Sequence, residues 1–81
     1  MSEEPITVSI RDLGVAAALV ACGFEITDTN RDTNSRTYFV FQETAALNEA
    51  VNEYYADTLQ VKARSFFDNT KMLKGRIYAN N

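Results

Sequence analysis

The chain has no histidine and no tryptophan, and only one cysteine, one proline and three glycines. Without histidine, neither a Ser-His-Asp nor a Cys-His nucleophile arrangement can form. A single cysteine allows no internal disulfide, and without histidine it offers no zinc cluster. The glycines stand apart at 14, 23 and 75, so no phosphate-cradling glycine-rich loop exists. Long apolar runs are missing as well. The longest, residues 15–22, is eight residues, where a membrane span needs about 18 or more, and its internal position is not that of a signal peptide. These absences point away from an enzyme, a metal or cofactor protein and a membrane protein. A lone reduced cysteine fits a cytoplasmic setting.

What remains is a chain of 81 residues, 46% hydrophobic and 23% charged. That length allows one domain, and the apolar fraction is too high for a disordered segment. The net charge is −3, which speaks against general nucleic-acid binding, since such binding leaves a basic footprint. The charge is nevertheless segregated. Residues 41–60 carry four acidic residues (Glu43, Glu49, Glu53, Asp57) and no basic one. Residues 61–81 carry Lys62, Arg64, Lys71, Lys74 and Arg76 against Asp68 alone.

Residues 1–5 read as a solvated tail and 6–81 as the domain. Residues 6–8 are short and β-branched, a first strand. Ser9 and Asp12 have capping-box spacing, with Val8 and Leu13 at the staple positions, so a helix is expected over 10–22 with Gly23 as its left-handed stop. Its small residues, Gly14, Ala16, Ala17, Ala18 and Ala21, suit close packing either on the protein's own sheet or against a second subunit. Residues 24–27 alternate as a strand does, 28–36 are polar and turn-forming, and 37–41 form an apolar strand expected to be covered on both faces. This pair predicts an antiparallel hairpin with a polar tip. A helix over 43–56 follows, with Leu47, Val51 and Tyr54 on one stripe. Residues 59–61 read as a short strand, and a third helix runs from about 62 to 74 with Ala63, Phe66, Phe67, Thr70, Leu73 and Ile77 on one face. The helix runs to 74 or beyond: Gly75 is a candidate stop, which would leave 76–78 as a strand or a final turn. The order strand-helix-strand-strand-helix-short strand-helix specifies an α+β fold with a small, mainly antiparallel sheet packed against helices.

Cys22 lies in an apolar helical stretch and reads as a small buried hydrophobe. The carboxylate pairs Glu49/Glu53 and Asp28/Asp32 read as solvated acidic faces rather than Mg²⁺ ligands. Lys71, Lys74 and Arg76 complement the negative end of the last helix, or else that helix meets the acidic helix of another copy. The most suggestive set is tyrosine with arginine. Tyr offers apolar area with a polar tip, and Arg binds phosphate bidentately. Arg36, Tyr38, Tyr55 and Arg64 are the candidate ligand-binding residues, Tyr38 or Tyr55 to stack a base and Arg36 or Arg64 to hold phosphate. Tyr54 belongs to its helix's apolar stripe, which leaves Tyr55 on the neighbouring face.

Several segments, among them Leu19-Val20-Ala21-Cys22-Gly23-Phe24, Tyr38-Phe39-Val40-Phe41, Tyr54-Tyr55, the run 59–67 and Leu73-Lys74-Gly75-Arg76-Ile77-Tyr78, resemble a small uncharacterised family of about this length from Gram-positive bacteria and their phages. Lys62 stands where the resemblance would place an acidic cap. The resemblance covers nearly the whole chain and implies a shared fold and a phage or prophage accessory protein, with no activity to transfer.

The expectation is therefore a non-enzymatic, cytoplasmic binding module without cofactor. It would assemble as a homo-oligomer and sequester a small nucleotide-derived host immune signal between subunits. The alternatives are an adaptor or inhibitor that binds a host or phage protein through the acidic helix, and a nucleic-acid regulator acting through the basic last helix.

Overall fold

The computed structural model describes residues 6–79; the expected tail 1–5 and the last two residues lie outside them. The order is β1 (Thr7–Ile10), α1 (Leu13–Ala21), β2 (Ile26–Arg31), β3 (Thr37–Gln42), α2 (Ala45–Tyr55) and α3 (Ala63–Ala79). The result is a small α+β fold: a three-stranded antiparallel sheet, ordered β1-β3-β2, packed against three helices.

β3 is central because it alone pairs on both sides. Val8 stands opposite Phe41 and Ile10 opposite Phe39, while Ile26 and Thr29 meet Phe41 and Phe39 from the other edge. Strand alternation thus puts Val8, Ile10, Ile26, Phe39 and Phe41 on one face, and Phe39 and Phe41 are completely buried there. Burying a side chain of that size is worth about 1.5–3 kcal/mol. The expectation that this strand is covered on both faces is corrected: Tyr38 and Val40, on the opposite face, are only half-buried. The helices gather on the Phe39/Phe41 side, where Val15, Ala16, Ala17, Leu19, Leu47, Ala50 and Leu73 complete the core.

α1 starts later than the Ser9 cap implied. Ser9 is a strand residue opposite Val40, and Asp12 is the cap, its Oδ1 accepting from the Val15 amide at 3.1 Å. The helix does stop at Gly23, φ +101°. The Gly23 and Phe24 amides donate to the Val20 and Leu19 carbonyls, which is the Schellman pairing. α2 ends the same way, the Asp57 and Thr58 amides donating to Tyr54 and Glu53, although Asp57 rather than glycine holds the left-handed position, φ 62°. At its start Thr44 accepts from the Leu47 amide at 3.0 Å, so this helix begins one position after that cap and not at Glu43. α1 is buried by its own chain, Val15 through Leu19 at 2% exposure or less. Its small residues serve intrachain packing, mainly against α3 and α2.

Two further expectations are corrected, and one that stood open, the end of the last helix, is decided. β2 extends to Arg31, into the stretch read as loop, and Phe24 and Glu25 precede it. A register shift between Ile26 and Asp28 bulges Thr27 out of the ladder. Residues 59–61 form no strand; Leu59 packs on the core without a ladder partner. α3 runs through Gly75 to Ala79. An internal glycine costs a helix about 1 kcal/mol, and here packing of Ile77 on the core, with its carbonyl accepting from Arg31 at 3.2 Å, offsets it. On α3, Phe66, Thr70, Leu73 and Ile77 face inward, whereas Ala63 and Phe67 are exposed, Phe67 by 61%.

Gly14 ties α1 to α2. A Cβ there would run into the Tyr54 hydroxyl and lie 3.2 Å from Asp12 Oδ1. Alanine is otherwise the better helix former by about 1 kcal/mol, so two effects compete. Overpacking costs about 1–3 kcal/mol, so against the gain in helix propensity Gly14→Ala is expected to destabilise by about 0–2 kcal/mol in urea unfolding. In a Tyr54→Phe background the cost should fall by at least half; equal costs in both backgrounds would show that the hydroxyl is not the obstacle.

Candidate functional site

The tip of the β2–β3 hairpin is built around Asp32. Its amide donates to the Arg36 carbonyl and its carbonyl accepts from the Ser35 amide, both at 3.0 Å. Ser35 sits at φ 62°. This is a type I turn followed by a left-handed residue, a standard hairpin closure. The Asp32 side chain closes it a second time: Oδ1 accepts from the Asn34 amide at 2.8 Å and the Arg36 amide at 3.0 Å. The remaining oxygen, Oδ2, pairs with Arg11 at 3.3 Å. The Arg36 amide bond, then the Asn34 amide and the Arg11 and Arg36 charges, hold the Asp32 carboxyl below its ordinary range against a smaller opposing effect of desolvation.

This tip brings three arginines to one cleft. Arg11 follows β1, Arg31 ends β2 and Arg36 precedes β3. With Ser35, Thr37 and Ile77 they line a space of about 330 Å³. Arg11 also lies over the Tyr38 ring, 5.8 Å from its centroid. Arg31 reaches across to the Ile77 carbonyl near the end of α3. The Thr37 hydroxyl oxygen is buried with no hydrogen-bond partner among the described residues. Asp32 Oδ2 pairs with one of the three, Arg11. Guanidinium groups lining a concavity suit phosphate or carboxylate oxygens.

The four sequence candidates divide. Arg36 lines this cleft, and Tyr38 adjoins it through Arg11. Arg64 does not; it is exposed near the start of α3 and pairs with Asp68 at 3.8 Å. It lies 13 residues before Ile77, about 20 Å along a helix at 1.5 Å per residue. Tyr55 is 66% exposed at the end of α2, its ring edge-on to Tyr54 with centroids 5.4 Å apart. A second space of about 290 Å³ lies near that end, lined by Ala18, Tyr54, Asp57, Leu59, Val61 and Phe66. There desolvation, then Asp12 and Tyr55, push the Tyr54 phenol's pKa up.

The sequence reading missed Arg11, Arg31, Ser35 and Thr37. Their signal was the pairing of β1 beside β3, which puts the residue after Ile10 next to Tyr38. Cys22, expected to be buried, is exposed because it caps the C-terminus of α1. Desolvation, then the Glu53 carboxylate, raise its pKa and so lower its thiolate fraction and reactivity. Among the described residues no His/Cys/Asp/Glu group is placed to hold a metal ion, and no helix is long and apolar enough to cross a membrane.

A family model described as "Domain of unknown function (DUF5659)" matches residues 6–79. No curated protein and no solved structure matches the chain.

The lowered pKa of Asp32 makes tip stability depend on pH. A carboxyl whose folded pKa lies below its unfolded value, near 3.9 for aspartate, contributes fully above that value and loses its contribution as pH falls through the folded one. Asp32→Asn should therefore be less stable than the wild type at neutral pH, and the gap should close progressively below about pH 4. Denaturant titrations of both proteins across pH 2–7 would check it; a gap independent of pH would mean that the charge is not what holds the turn.

Proposed function

The chain belongs to the DUF5659 family, and we propose that it is a non-enzymatic binding module that holds a phosphate-bearing, nucleotide-like ligand in the three-arginine cleft. The observation that carries the reading is that Arg11, Arg31 and Arg36, with Ser35 and Thr37 beside them, line one space of about 330 Å³. Charge-assisted hydrogen bonds from guanidinium groups would hold an anion there. Arg36 and Arg11 reach the phosphate, and Tyr38, beneath Arg11, offers an aromatic ring at the rim.

In its fullest form the reading is of a homo-oligomeric accessory protein of Gram-positive bacteria or their phages, working in the cytoplasm to sequester a nucleotide-derived immune signal. The resemblance supports the accessory-protein setting alone, and the cleft supports the ligand chemistry. A second reading, a protein-binding adaptor, draws on Tyr55, 66% exposed at the end of the acidic α2. Exposed tyrosines are frequent anchors of protein interfaces.

Thermal unfolding with ATP, cyclic dinucleotides or inorganic pyrophosphate tests the cleft. A ligand at a hundredfold excess over its Kd stabilises by about 2.7 kcal/mol, a rise of roughly 10 °C or more for a domain this size. Arg36→Ala should abolish that rise, and Arg64→Ala, at the far end of α3, should leave it intact. No shift with any of these probes, or a shift that survives Arg36→Ala, would refute the assignment.

A further inference from the structure

Resting on the cleft as an anion site, we infer that its ligand is a single-stranded oligonucleotide whose backbone continues from the cleft along α3. On α3 the residues Arg64, Phe67, Lys71, Lys74 and Tyr78 recur at intervals of three and four, which puts them on one stripe of the helix. All five are exposed: Phe67 by 61% and Tyr78 by 67%, the Arg64 side chain by 94%, and both lysines. The stripe is separate from the buried face formed by Phe66, Leu73 and Ile77. It also lies on the flank away from Met72 and Arg76, which line a groove with Val20, Phe24 and Ile26. Its Tyr78 end is the end of α3 nearer the arginines: Ile77, one residue before Tyr78, lines the cleft, and its carbonyl accepts from Arg31 at 3.2 Å. Lys71 Nζ sits over the Phe67 ring at 5.4 Å from its centroid, so cation and ring present themselves together.

Cations that track a backbone, interleaved with exposed rings on which bases stack, are what single-strand binding requires. The stripe and the cleft together supply Arg64, Lys71, Lys74, Arg11, Arg31 and Arg36, with Asp68 paired to Arg64 and Asp32 to Arg11, and the acidic residues of 41–60 lie on α2 and its flanks. Other occupants fit less well. A flat anionic bilayer cannot enter a recessed cleft. The α2 helix of a second copy offers carboxylates to α3 but nothing to the three arginines.

The test uses fluorescein-labelled dT12 and U12 in anisotropy titrations at low salt, with ATP melts in parallel. Wild type should bind the oligonucleotides at least tenfold more tightly than ATP. Lys71→Gln with Lys74→Gln should weaken oligonucleotide binding at least tenfold, lower the log Kd–log salt slope by about 0.7 for each lost phosphate contact, and leave the ATP shift unchanged. Phe67→Ala and Tyr78→Ala should each weaken oligonucleotide binding at least fivefold. All four side chains are exposed, and circular-dichroism melts will verify folding. An Arg36-dependent ATP shift with oligonucleotides bound no tighter than ATP would overturn the track and leave the cleft reading standing; no response to either probe overturns both. Oligonucleotide binding unchanged by the lysine variants, or lysine-dependent binding only to phosphatidylserine vesicles or to a second copy, also overturns the track.

Discussion

The burial of α1 is the constraint on which the rest depends. Five consecutive residues, Val15 to Leu19, are almost fully withdrawn from solvent, and three of them are alanine. A helix buried on several sides needs small side chains, because its neighbours must approach its backbone closely. Here α3 makes most of that approach and α2 a smaller one. The same economy appears at Gly14, where the missing side chain leaves room for the Tyr54 hydroxyl. With α1 held on Phe39 and Phe41, the direction of α3 is set, and with it the place where α3 meets the hairpin tip.

That meeting point is the candidate site. Its arginines sit at or one residue beyond strand ends. Arg31 and Arg36 flank a four-residue tip, and Arg11 follows β1, whose pairing with β3 brings it beside Tyr38. Sites carried on strand ends are better fixed than sites on long loops. Asp32 has a double part here. It closes the turn through two backbone amides and ties Arg11 to the tip. It thereby preorganises the cleft, and it also competes for the Arg11 guanidinium that an incoming anion would use. An exposed ion pair of this kind is worth only about 0–1 kcal/mol, so a phosphate with two charges can displace it.

Much of the fold was legible in periodicity and caps. Leu47, Val51 and Tyr54 marked α2, Gly23 marked the end of α1, and the unbroken apolar run marked β3. Three of the misses share a physical cause: each concerned residues whose local preference was overruled by a partner distant in sequence. Ser9 has a cap's chemistry but pairs with Val40. Residues 28–31 have a loop's composition but form an edge strand, where one side of the ladder and one face are open to water and polar side chains are tolerated. Gly75 has a terminator's chemistry but lies ahead of Ile77, whose packing continues the helix. The site was half legible for the same reason. Arg36 and Tyr38 stood near a predicted turn, whereas Arg11 enters only through the strand order β1-β3-β2.

Charge completes the argument. A net charge of −3 reads as hostile to anionic ligands, yet net charge governs the far field, and screening shortens that field to roughly 8–10 Å in physiological salt. A ligand at the hairpin tip meets Arg11, Arg31 and Arg36, with Asp32 paired to Arg11, while the carboxylates of Glu43, Glu49, Glu53 and Asp57 belong to α2 and its flanks. Helix-end complementarity accounts for Arg76 in the last turn of α3, but it does not account for Arg64, near the opposite end, or for rings between the cations. Nor does it account for three arginines collected from three separate strand ends. The basic residues of α3 are segregated along the sequence, whereas the cleft arginines come from a stretch that is not basic and are brought together by the strand order β1-β3-β2.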